Sequence, residues 1–147
     1  MDVLIRKAEK GDILYIQEIE EQAFGKEAYP LALMIYLYEH CGNYFLVAEV
    51  EKQIAGYIVA CPEKNDRLHI YSIAVKKHFR KKGIGEKLLK KLVELANKHG
   101  LKEVFLEVNV ENMPAIKLYE KLGFKQTKRI KKYYSNGKDA FIYILDL

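Results

Sequence analysis

Residues 73–89 run from an apolar stretch, Ile73-Ala74-Val75, through a basic turn, Arg80-Lys81-Lys82-Gly83-Ile84-Gly85, into a helical pattern. A helix N-terminus offers unpaired backbone N–H groups and the positive end of a dipole, so this order of elements can seat an anion. Gly83 and Gly85 lack a Cβ and let the anion approach the backbone, while Lys76, Lys77, Arg80, Lys81 and Lys82 raise the local positive potential. A tight turn beside a solvated basic face accounts for the same residues. The turn fits neither GxxxxGK followed by Ser or Thr nor GxGxxG, so ATP and dinucleotides find little support.

Further along lie residues suited to proton transfer. Glu107 is a glutamate inside a strand-like run, flanked on its own face by Phe105 and Asn109, which makes it a candidate general base or else a side chain pointing into water from an edge strand. Tyr119, with a reference pKa near ~10, keeps its proton at neutral pH and could protonate a leaving group. It also fits the core face of an amphipathic helix. Asn112 can bind a ligand, cap its helix, or do both. Tyr133 and Tyr134, read as neighbours on a strand, point to opposite faces, one into the core and one toward a groove; ordinary hairpin packing would use both.

The elements that must carry these residues follow from periodicity and punctuation. Val3 to Ala8 reads as a strand. Asp12 is placed to cap a helix bearing Ile13, Ile16, Ile19, Ala23 and Phe24, and Pro30 opens a second helix that Gly42 ends. Tyr44–Val50 and Gln53–Cys61 are joined by Glu51-Lys52 as a hairpin, with Pro62 closing the second run. Leu68–Val75 is a strand with Leu68, Ile70, Ser72 and Ala74 on one face and His69, Tyr71, Ile73 and Val75 on the other. Both faces are largely apolar, as in a covered central strand. A helix from Gly83 to His99, a strand Val104–Val110 and a short helix after Asn112 follow. The tail reads as a hairpin, with Ile130–Tyr134 and Ala140–Leu147 around an Asn136-Gly137 turn. The order β-α-α-β-β-β-α-β-α-β-β implies one α/β domain over residues 1–147, a central mixed twisted sheet with helices on both faces.

Composition narrows the class. The 147 residues are 50% hydrophobic and 12% aromatic, enough for a core. No stretch approaches the roughly 20 apolar residues of a membrane span, and nothing resembles a signal peptide, so the expected location is the cytoplasm, without a membrane partner. Cys41 and Cys61 have no CxxC or histidine spacing, so buried free thiols and no metal site are expected. A net charge of +5 suits an anionic partner. It is carried mostly by lysine and crowds one glycine turn, with no aromatic-interleaved basic stripe, which argues against nucleic acid.

Ile73-Ala74-Val75 with Arg80-Lys81-Lys82-Gly83-Ile84-Gly85 resembles motif A of the GNAT acetyltransferase superfamily, Arg/Gln-x-x-Gly-x-Gly/Ala, and the element order resembles its fold. Leu106-Glu107-Val108, Asn112, Ala115, Leu118-Tyr119 and Gly123-Phe124 resemble the signature of RimI-like N-terminal acetyltransferases. So do His69 to Val75, and Tyr133-Tyr134 with Gly137, Asp139 and Ala140. The resemblance implies acetyl-CoA as the acetyl donor, without a metal. Its pantetheine would lie along Ile73, Ala74 and Val75, and its pyrophosphate on Arg80, Lys81, Lys82, Gly83, Ile84, Gly85 and Glu86, chiefly through the amides of Lys81 to Glu86. Asn112 and Tyr119 would contact it further. The backbone N–H near Val75 would be the oxyanion donor. The resemblance further implies Glu107 as base and Tyr119 as acid. Phe24, Tyr29, Tyr71, Tyr133 and Tyr134 would line the site for a protein N-terminus, such as that of a ribosomal protein, on a monomer or weak dimer. A small amine, a lysine side chain or a non-catalytic acyl-CoA module are the alternatives.

Overall fold

A computed structural model describes all 147 residues. The strands are β1 (Leu4–Lys7), β2 (Phe45–Val50), β3 (Gln53–Glu63), β4 (Arg67–Val75), β5 (Glu103–Asn109), β6 (Lys125–Ile130) and β7 (Ala140–Asp146). The helices are α1 (Ile13–Phe24), α2 (Leu31–Cys41), α3 (Ile84–Lys98) and α4 (Met113–Lys121). The strands form one seven-stranded sheet in the order β1-β2-β3-β4-β5-β7-β6. Only the β4–β5 pair is parallel, with α3 as its crossover. The expected mixed sheet and element order are both observed.

The two faces of the sheet carry separate cores. Ile84, Leu88, Leu89, Leu92 and Ala96 of α3, with Ile116 and Tyr119 of α4, pack on Leu46, Ile58, Ile70 and Leu106. Ile13, Ile16 and Ile19 of α1, with Met34 and Leu37 of α2, pack on Phe45, Val47, Tyr57 and Val59. In α3 the apolar residues recur every three or four positions, so one stripe is buried and the lysines between them stay in water. The β2–β3 hairpin turns at Glu51 and Lys52, both with positive φ, as a two-residue turn between right-twisted strands requires.

Strand β4 departs from simple alternation. Val59 of β3 pairs with Ser72 but Ala60 pairs with Ile70, so Tyr71 is an extra residue on β4. Leu68 and Ile70 therefore face the α3 side, whereas Ala74 faces the α1 side and Ile73 and Val75 turn back toward α3. The expected single-face grouping of Leu68, Ile70, Ser72 and Ala74 is corrected: a β-bulge reverses the sides midway. The parallel pairing with β5 covers only Arg67↔Glu103, Leu68↔Val104 and His69↔Phe105. Beyond His69 the two strands part while both continue, leaving a wedge.

Four further expectations change. Strand β3 runs through Pro62 to Glu63. The Asp12 carboxylate does not cap α1; it accepts two bonds from Arg6, at 2.8 and 3.1 Å, and one from Glu9 N. The strand before the last connection is Lys125–Ile130, a polar, exposed edge strand, and Tyr133-Tyr134 lie in the connection itself. Its sequence, KQTKRI, has no apolar face to reveal it, and exposed edge strands commonly carry such charges. Cys41 and Cys61 are not free thiols: they form a disulfide, with Cα atoms 5.1 Å apart. The end of α2 lies over the far part of β3, a proximity that spacing in the chain does not disclose.

The disulfide closes a loop of 20 residues, so its chain-entropy contribution is roughly 3 kcal/mol. The double variant Cys41→Ser/Cys61→Ser should lose about that much in denaturant unfolding, and the wild type should lose the same on reduction. An unchanged midpoint under reductant would rule out this contribution.

Candidate active site

The wedge between β4 and β5 opens into a cavity of about 430 Å³. Phe24, Tyr29, Tyr71, Ile73, Glu107, Asn112, Tyr119, Tyr133 and Tyr134 all line it. They come from α1, the α1–α2 connection, β4, β5, α4 and the β6–β7 connection. Nearly every residue assigned from the sequence to catalysis or acceptor binding is thus gathered around one space. Ala74 is different, with its side chain on the opposite face of β4; it can serve only through its backbone.

The basic turn lies next to this wedge. Lys81 and Gly83 have positive φ, at 62° and 80°. A left-handed residue leading into the right-handed start of a helix, as at Gly83-Ile84, turns successive N–H groups into one concavity, an anion-binding arrangement. Gly83 is the N-cap of α3 and supplies no side-chain cap, so the first amides of the helix are left for a ligand. Arg80 folds back, donating from Nε to the Val75 carbonyl at 2.9 Å, and so fixes the turn to the end of β4. A Cβ on Gly85 would lie 3.5 Å from Leu118 and 3.8 Å from Val75, ordinary contact distances. Glu86 pairs with Lys121 at 2.6 Å and Lys90 at 3.1 Å, and these lysines hold its carboxyl below the usual range. The pair with Lys121 links α3 to α4.

Glu107 is on an interior strand, between β4 and β7, not on an edge. Its Oε1 lies 2.7 Å from His69 Nε2, and His69 Nδ1 lies 3.0 Å from Glu63 Oε2. The imidazole stacks on Phe105, with centroids 4.4 Å apart. Burial opposes a proton on His69, but the hydrogen bonds and charges of Glu107 and Glu63 outweigh it and raise the pKa. Tyr119 is buried against Phe124 and Tyr143. Burial alone raises its pKa, so the phenol holds its proton. Asn112 accepts from Ala115 N at 3.3 Å and caps α4 while lining the cavity; the two uses coexist. Tyr133 and Tyr134 stack edge to face, 4.9 Å apart.

Glu20 and His69 were not singled out from the sequence. Glu20 is 1% exposed. Its Oε1 accepts from Ser72 at 2.6 Å and from Tyr57, and its Oε2 accepts from Tyr29 N at 2.9 Å. One signal existed: Glu20 follows Ile13 and Ile16 at helical spacing, a charge placed on an apolar stripe. Glu27 accepts from Ser135 Oγ and from Asn136 N, the latter at 3.1 Å, joining the two connections that flank the cavity. No group of three or more His, Cys, Asp or Glu side chains is arranged to hold a metal ion, and no helix is long and apolar enough to cross a membrane.

A splayed parallel pair, a glycine turn with free helix amides and a buried carboxylate thus meet at one wedge. The chain belongs to the Acetyltransferase (GNAT) family, whose pattern it matches over residues 13–124. It is 35% identical to an N-alpha-acetyltransferase of Saccharolobus solfataricus over 96% of this chain and 91% of that protein. Its fold superposes with a TM-score of 0.91 on a chain of the NatC complex bound to Gag peptide and CoA, at 28% identity, covering 100% and 99% of the two chains. The ribosomal-protein-S18-alanine N-acetyltransferase of Escherichia coli superposes at 0.85 with 25% identity, over 99% of this chain and 94% of that one.

The arrangement around His69 has a measurable consequence. Its imidazole should titrate above the ~6.5 of a free histidine in an NMR pH series, and Glu107→Gln should lower that value. Because the folded pKa is the higher one, the stabilisation is complete below ~6.5 and fades as pH rises through the folded value. The stability difference between wild type and His69→Asn should follow that course. A titration at or below the free value would contradict the ion-pair geometry.

Proposed function

We propose that the chain, acting as a single domain, transfers acetyl from acetyl-CoA to the N-terminal α-amino group of a protein. The observation that carries this reading is the polarity of the site. A basic glycine turn adjoins a cavity lined by tyrosines and the carboxylates Glu20, Glu27, Glu107 and Glu111. The first suits a pyrophosphate; the second suits a cationic amine on a thin chain end. The identity to an N-alpha-acetyltransferase and the likeness to a peptide- and CoA-bound chain support the same pairing.

In this mechanism pantetheine runs along the free edge of β4 at Ile73 to Val75, and the pyrophosphate meets the amides from Lys81 to Glu86. Arg80 shapes the turn, and the lysines add long-range attraction. Phe24, Tyr29, Tyr71, Tyr133 and Tyr134 hold the acceptor's first residues. Glu107, directly or through a water, takes a proton from the amine, and the amine nitrogen attacks the thioester carbonyl. A backbone N–H near Val75 stabilises the oxyanion. Tyr119 protonates the departing thiolate and is restored by the second proton that the nitrogen loses as the amide forms. An α-amino group with pKa near ~8 is partly neutral at pH 7, whereas lysine near ~10.4 is mostly charged. A carboxylate base therefore favours N-termini.

Mass spectrometry of peptides incubated with acetyl-CoA should place the acetyl group on the α-amine. Modification confined to lysine Nε would overturn this proposal. Glu107→Gln should lower kcat by about a hundredfold or more, a typical general-base contribution, with acetyl-CoA affinity near wild type. Gly83→Glu should weaken acetyl-CoA binding in calorimetry, through the strain of a side chain at φ 80° and through repulsion of phosphate. Unchanged affinity would remove the turn from the site.

A further inference from the structure

We propose that Glu107, His69 and Glu63 form a proton exit leading from the acceptor cavity to bulk water, with His69 as the relay and Glu63 as the point of release. The inference rests on the acetylation reading above. Glu107 lines the cavity. Its Oε1 is 2.7 Å from His69 Nε2, and His69 Nδ1 is 3.0 Å from Glu63 Oε2. Side-chain exposure is 16% for Glu107, 16% for His69 and 40% for Glu63. The three groups form an unbroken hydrogen-bonded row that starts in the pocket and ends in solvent.

An acceptor that arrives as the ammonium gives up one proton to become the attacking amine, a proton that the amide and neutral thiol products do not take back, and a base buried beside bound substrate must pass it on before acting again. With the neutral ring bearing its proton on Nδ1, the Nε2 lone pair accepts from Glu107 once that carboxyl carries the acceptor's proton. The ammonium N–H breaks as a Glu107 O–H forms. That proton then passes to Nε2, giving an imidazolium held between two carboxylates. The Nδ1–H bond breaks, Glu63 takes the proton, and Glu63 gives it to water. One proton has moved from amine to solvent, no electrons have changed hands, and the neutral ring re-equilibrates its tautomers before the next turnover.

The surroundings keep the row in place. From β3, Glu63 faces His69, with Cys61 opposite it in register and tied up in the disulfide. From β4 come Tyr71, with ring centroids 4.6 Å away, and Arg67. From β5 come Glu107, Phe105 and Glu103. Arg67 lies over the Phe105 ring and pairs with Glu103 at 2.5 Å, which occupies both charges. Tyr36 of α2 lies near Tyr71, whose own pKa is raised by burial and then by Glu63 and Glu107. Glu63 is therefore the one carboxylate on the outer side of His69 bonded to the ring.

A clamp holding β3, β4 and β5 together at the root of the wedge would use the same contacts, so the test needs readouts that a clamp would not move. In dilute buffer, at a pH where His69 is neutral, Glu63→Gln should retain the wild-type melting temperature and the KM values for acetyl-CoA and peptide. Its kcat should fall roughly tenfold, toward the lower end of proton-transfer effects, and recover on adding imidazole buffer. Glu63→Asp should retain part of the rate. Combining Glu63→Gln with His69→Gln should cost no more than His69→Gln alone, as for residues on one path. Wild-type kcat and pH profile in Glu63→Gln would overturn the exit, as would a raised KM with unchanged kcat or a loss that buffer does not restore. A wild-type protein that acetylates no peptide would overturn the acetylation reading itself and the exit with it; an active wild type with an indifferent Glu63 would overturn the exit alone.

Discussion

The parting of β4 from β5 beyond His69 and Phe105 is the constraint on which the site depends. Interior strands of a sheet normally spend their N–H and C=O groups on each other, and unpaired backbone groups away from water are costly. Here two central strands continue side by side without pairing. The bulge at Tyr71 twists β4 away from its neighbour at this point. In the proposed mechanism the freed edge of β4 offers backbone groups to the extended pantetheine arm, and the wedge beside it holds the acceptor. A fully paired sheet of the same strands would have a core but no site.

Holding a wedge open requires ties on both sides of it. At its root, Glu107 and His69 bond across the last paired residues. On the α1 face, Glu20 accepts from Tyr57 of β3, Ser72 of β4 and the backbone of Tyr29. A buried carboxylate is tolerated only when its oxygens are occupied, and truncating it would leave those donors unsatisfied at roughly 1–3 kcal/mol each. The geometry of Tyr29, an acceptor-contacting residue in the proposed mechanism, is thereby set by a glutamate deep in α1. Gln17 Nε2 donates to the Tyr29 carbonyl at 2.9 Å and fixes the same residue from its other end.

What the sequence discloses divides along the range of the interactions involved. The strand–turn–helix at 73–89 is local: glycine positions, charge and helical periodicity are contiguous, and the structure matches them closely. Glu107 and Asn112 were legible as candidates, because one breaks the expected pattern of its strand and the other sits at a helix start, whereas Tyr119 fits the core face of α4 and its role is implied by the resemblance alone. The extra residue on β4 was not, since Tyr71 is as apolar and strand-compatible as its neighbours and its displacement shows only in the register with β3. The same holds for His69, whose role depends on carboxylates 6 and 38 residues away, and for the disulfide. Strand β6 was missed for the opposite reason, its polar residues giving no alternation to read.

The division has a functional counterpart. In the proposed mechanism phosphate is held by backbone amides and a helix dipole, which depend on backbone conformation more than on side-chain identity, so this half of the site is encoded in a short motif. The acceptor half is assembled from α1, β4, β5 and two connections, held by pairs such as Glu20 with Tyr29 and Glu27 with Asn136. Those connections lie outside the strand–turn–helix that carries the glycine turn. A chain can therefore keep the donor chemistry of its family while changing the terminus it accepts. Relatives named for different acceptors, from N-termini in general to a single ribosomal alanine, share this fold at 25–35% identity. In the proposed mechanism selectivity accordingly falls to the aromatic residues lining the acceptor cavity, and not to the glycine turn that identifies the family.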